Sequence, residues 1–81
     1  MTNTNEKLAI EVLVHGVWKT VAVERYDTIG AAQDAILTAI TDCEGLTLRV
    51  GYLMYMVERG VLYRMTHRRG WQVVEPEAMT P

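Results

Sequence analysis

Apolar residues along this chain follow two rhythms, a period of two that marks strands and one stretch with the period of a helix. From Leu8 the segment LAIEVLVHGVWKTVAVERY holds two runs rich in Val around His15-Gly16, a pair suited to a tight hairpin turn. In the first run Leu8, Ile10, Val12 and Val14 share one face, opposite Ala9, Glu11, Leu13 and His15. In the second, Val17, Val21 and Val23 share a face with Lys19, while Trp18, Ala22 and Tyr26 take the other.

The helical stretch is TIGAAQDAILTAITDCEG, from Thr28 to Gly45. Ala32, Ala35, Ile36, Ala39, Ile40 and Cys43 recur at steps of three and four, a narrow stripe that predicts a helix lying close against a flat sheet. Thr28 is placed to cap the first turn with its hydroxyl, and Asp27 favours the positive end of the helix dipole. Gly45 suits the left-handed conformation that ends a helix. Gln33, Asp34, Thr38, Thr41 and Asp42 are expected to face water.

Beyond the helix, Leu46, Leu48 and Val50 alternate with Thr47 and Arg49, and the run continues through GYLMYMVE to Arg59-Gly60. Gly51 leaves two parities open. Without a bulge there, Tyr52, Met54 and Met56 continue the inner face; with one, Leu53, Tyr55 and Val57 turn inward. The strands VLYRMT and WQVVE follow on either side of HRRG, and Pro76 stops the last. This order predicts an α+β fold, a single helix packed on a mainly antiparallel sheet of four to five strands in ββαβββ order. The layout resembles a β-grasp. Residues 7–75 form the expected domain, with flexible ends at 1–6 and 76–81.

Composition narrows the function classes. A chain of 81 residues makes one domain with one small core, and 49% hydrophobic with 22% charged residues belongs to folded globular proteins. A formal net charge of −2 argues against a strong overall field for nucleic acid or anionic membrane. The single cysteine, Cys43, forms no internal disulfide, so a cytoplasmic location is expected. No leader of basic then apolar residues and no apolar run of bilayer length occurs, so no membrane partner is expected.

The chemistry of a catalytic site is missing from the residue set. There is no Ser, and no GxGxxG, GxxxxGK or CxxC spacing. His15 and His67 sit in turns without a carboxylate or cysteine at ligand spacing. No catalytic residue, metal or cofactor is expected. Cys43 reads as a packing residue, and Met54, Met56 and Met65 as core filling in a chain with no Phe.

Two features point instead to docking. One helix covers one face of a sheet, yet apolar strand residues occur on both faces, among them Leu13, Trp18, Ala22, Tyr26, Leu62 and Val74. An uncovered patch of about 400 to 600 Å² has the size of an interaction site. The competing reading is a strongly bent sheet that buries these residues within one copy. The second feature is the cluster Arg64, His67, Arg68 and Arg69 beside Tyr63 and Trp71, residue types that dominate protein interfaces.

The expectation is a non-enzymatic protein–protein interaction module, an adaptor, subunit or inhibitor of a larger assembly of the kind phages and mobile elements carry. Trp18, Tyr26, Tyr55, Leu62, Arg64, Arg68, Arg69 and Trp71 would bind a protein partner or a second copy in a homodimer. The alternative is a nucleic-acid binder that uses Arg64, Arg68 and Arg69 on phosphates and Tyr63 and Trp71 to stack on bases.

Overall fold

The computed structural model describes residues 7–21 and 24–74. The expected flexible ends and the expected strand positions of Ala22 and Val23 lie outside the described residues. The order is β1 (Ile10–Val14), β2 (Val17–Thr20), α1 (Ile29–Thr38), a 3₁₀ turn (Ile40–Cys43), β3 (Thr47–Val50), β4 (Leu53–Glu58), β5 (Val61–Thr66) and β6 (Gly70–Val73). The strands form one six-stranded sheet in the order β2-β1-β3-β4-β5-β6, and every neighbouring pair is antiparallel.

The α+β class and the single helix agree with the sequence pattern, while the sheet has six strands instead of four to five. The additional strand comes from the segment around Gly51. Its φ of +61° is reached easily only without a Cβ, and the backbone reverses there so that Val50 pairs directly with Leu53. Tyr52 stands at the tip, 87% exposed. A left-handed glycine at the first central position is the pattern of a type II′ hairpin turn. The other tight hairpins have both central residues left-handed, His15-Gly16 at φ of 50° and 82° and Arg59-Gly60 at 55° and 76°, as type I′ turns require.

Thr28 caps the helix as its position implies, its Oγ1 accepting from the Ala31 N–H at 3.1 Å. The helix stops at Thr38, well short of Gly45. Thr38 Oγ1 donates to the Asp34 carbonyl at 2.9 Å, a local bond that competes with the helical ladder. Ala39 then leaves helical geometry (φ −104°, ψ 29°), and the chain tightens into the 3₁₀ turn. Just past it the Glu44 carboxylate accepts from the backbone N–H groups of Arg59 and Gly60 at 2.6 and 2.9 Å. That brace ties the end of the helical segment to the β4–β5 turn.

The core lies between α1 and the centre of the sheet. Ala32 and Ile36 meet Leu48, Val50, Tyr55, Val57 and Leu62, each at most 2% exposed. Ala32 lets the helix approach closely. Gln33, expected to face water, turns toward this interface instead and accepts from the Tyr55 hydroxyl at 2.9 Å. The bond explains how a buried tyrosine satisfies its polar end. Burial pushes the Tyr55 phenol above its ordinary value, and the positive charge of Arg64, its cross-strand neighbour, opposes that in part.

Candidate docking surface

Strand register divides the side chains without ambiguity. Since Ile10 pairs with Val50, Val12 with Leu48, Leu48 with Tyr55 and Val57 with Leu62, these residues share the helix side. Their alternates form the opposite, open face. One cross-strand row there runs Thr47, Met56, Tyr63, Val73, and another runs Thr20, Glu11, Arg49, Met54. Leu13 pairs with Trp18 at one end of the face, and Met65 with Trp71 at the other. No element among the described residues lies over this side.

The open face has two halves of different chemistry. Across β2, β1 and β3, Arg49 Nε donates to Glu11 Oε1 at 2.8 Å, and the guanidinium lies 4.4 Å from the centre of the Trp18 ring. Both charges are about two-thirds shielded and each has its partner. The ring and guanidinium attract through the aromatic quadrupole. Across β4, β5 and β6 the face is apolar except for the exposed Glu58 at one end: Met56, Val61, Tyr63 and Trp71 are half-buried, Met65 is 38% exposed and Val73 53%. Near the β5–β6 turn Met54 and Met65 line a depression of about 310 Å³ together with Tyr52, Leu53, Thr66 and His67.

The expected contact residues scatter across both sides. Trp18 and Trp71 stand on the open face, at its two edge strands. Arg68 and Arg69 are exposed in the turn at its border, where Thr66 Oγ1 accepts from the Arg69 N–H at 3.1 Å. Tyr55 and Leu62 lie in the core under the helix, at 0% and 1% exposure, so neither offers a surface in this conformation. Arg64 also faces the helix side, opposite Tyr55. Tyr26 bridges Leu8 through paired backbone bonds of 2.7 and 2.8 Å and packs at the core margin. The expected cluster is therefore divided, with Arg64 on the helix side, Tyr63 and Trp71 on the open face, and Arg68 and Arg69 in the turn at the end of the sheet.

Met54, Met56 and Met65 belong to the open face, where core filling was expected. With the reversal at Gly51, Leu53, Tyr55 and Val57 take the inner side, so the methionines face outward. A signal existed in the sequence. An uninterrupted strand from Thr47 to Glu58 would be about twice the usual strand length, which favours a turn near its middle.

On the helix side, α1 does not reach the β1–β2 edge. A groove of about 350 Å³ opens there, lined by Val12, Val21, Tyr26, Ile36, Cys43 and Leu48, with Glu24 and Asp42 also in its wall. The Cys43 thiol is pushed up by burial and further by the Asp42 carboxylate, both of which disfavour the thiolate. Among the described residues no three His, Cys, Asp or Glu side chains are placed to hold a metal ion. Nor is any described helix long and apolar enough to cross a membrane.

Geometry thus defines a class, a single-helix α+β domain whose antiparallel sheet is covered, among the described residues, on one side. Compared with protein-family models, with curated proteins and with solved structures, the chain matches none.

Proposed function

We propose that this chain is a non-enzymatic interaction module that docks a protein through the open face of its sheet, serving as an adaptor, subunit or inhibitor of a larger assembly. The observation that carries this reading is the apolar half of that face, where Met56, Tyr63 and Val73 stand in one cross-strand row beside Met65 and Trp71 with nothing described above them. Aromatic residues and methionine are the types enriched where proteins meet. An antiparallel sheet that faced only water would carry polar residues there. The α+β layout of one helix on an antiparallel sheet does not decide the function, because one layout hosts many.

A tagged copy expressed in its native host tests the proposal, with untagged native copies counted among the captured proteins. Wild type and Lys19→Glu, a change on the exposed helix-side edge, are expected to retain the same partners, and Met56→Lys to lose them. Equal capture by all three would overturn the reading. Nucleic-acid binding is the competing class, and Arg64 on the helix side does not share a surface with the rings of Tyr63 and Trp71 on the open face. Oligonucleotide binding that weakens steeply with salt and disappears in an Arg68→Ala, Arg69→Ala variant would favour it over docking.

A further inference from the structure

We propose that the occupant of the open face is a second copy of this chain, stacked face to face as the two layers of a β-sandwich; the proposal rests on the docking reading above. Size is the first argument. Six strands of four to six residues, about 4.8 Å apart and rising about 3.3 Å per residue, outline a face of roughly 24 by 17 Å. Side-chain relief raises the accessible area above that outline, toward the about 800 Å² that each partner contributes to a standard interface. Sheets packed in this way sit about 10 Å apart with their strands aligned within about 30°.

Charge is the second argument. The central charges of the face, Glu11 and Arg49, are already joined at 2.8 Å, so covering them with an identical surface strands neither. The arrangement of the two halves then selects the symmetry. A two-fold axis running along the strands would place the apolar half of one copy on the ion-paired half of the other. An axis running across the strands, along the Met56–Tyr63–Val73 row, places β4, β5 and β6 over their own counterparts. This second axis also exchanges the two ends of each strand.

Sedimentation equilibrium over a wide range of concentrations tests this, with tryptophan emission followed on dilution. Both tryptophans, Trp18 and Trp71, lie on the proposed interface. The expected result is a species of twice the 9.2 kDa chain mass whose dissociation shifts the emission to the red, while Met56→Lys remains a single copy with an unchanged far-ultraviolet dichroism spectrum. A wild-type chain that stays single at every concentration overturns the second copy as occupant. If that single chain binds an apolar dye and Met56→Lys does not, the docking reading survives with a different partner; absence of dye binding removes both. A dimer that persists in Met56→Lys and in Tyr63→Lys also overturns the proposal, since association then uses another surface such as a sheet edge.

Discussion

The two sides of this sheet carry similar amounts of apolar side chain and meet different fates. On the helix side Leu48, Val50, Val57 and Leu62 are at most 1% exposed, whereas Met65 and Val73 on the open side are 38% and 53% exposed. Hydrophobic content alone therefore does not mark the core of this chain; coverage does. A helix of 10 residues, about 15 Å long, can shield the middle of one face and no more. The remaining apolar surface is either a cost to solubility or a site, and its continuity across β4, β5 and β6 favours a site.

This contrast can be sharpened by substitution. Leu48→Ala leaves a cavity under the helix and should cost about 2 to 5 kcal/mol, while Met54→Ala across the sheet should cost under about 1 kcal/mol where the chain is a single copy. Urea midpoints of the two variants measure the difference, and equal losses would break the contrast. A smaller effect is expected at the polar contact within the core. Tyr55→Phe removes the bond to Gln33 and should cost about 1 kcal/mol, most of it from leaving the amide oxygen without its donor.

The same phenol gives a pH dependence. Because burial raises its folded-state pKa above the ordinary value of about 10, the folded chain holds this proton more tightly than the unfolded chain does. Its contribution is complete below about pH 10 and is lost as pH rises through the higher folded value. Urea midpoints on the alkaline side should thus fall more steeply for wild type than for Tyr55→Phe, and parallel curves would show that Tyr55 is not buried as described. Thr28→Ala should cost about 1 kcal/mol or less through loss of the helix cap, read as a lowered thermal midpoint. Cys43 should alkylate more slowly in the folded chain than in urea at the same pH, by the combined effect of burial and the Asp42 charge.

Much of the fold was legible because its turns have recognisable chemistry. His15-Gly16 and Arg59-Gly60 each place a glycine second in a two-residue turn, and both reverse the chain where the sequence implied. Gly51-Tyr52 was harder, because a tyrosine at a turn tip gives no such signal and the residues after it alternate equally well in either parity. One unrecognised reversal moved Tyr55 to the core and Met54 and Met56 to the surface. The end of the helix was obscured in a similar way, since Ile40 and Cys43 keep the apolar period through the 3₁₀ turn while the backbone has changed.

The candidate site was legible only in outline. That a second apolar face exists followed from counting strand residues against the reach of one helix. Which residues form it depended on register, a long-range property that pairs Met56 with Tyr63 and Tyr63 with Val73. Arg64 illustrates the limit: it follows Tyr63 directly in the chain, yet strand parity sends it to the other side of the sheet from Tyr63 and Trp71.

The most direct test of one-sided coverage compares a lysine on each side of the same pair of strands, Met56→Lys on the open face and Leu62→Lys under the helix. Both are examined by denaturant unfolding at a concentration low enough for wild type to be a single chain. Met56→Lys should unfold cooperatively with a midpoint close to that of wild type, and Leu62→Lys should show no cooperative transition. Loss of the transition in both would place the open face inside the folded chain and contradict the account.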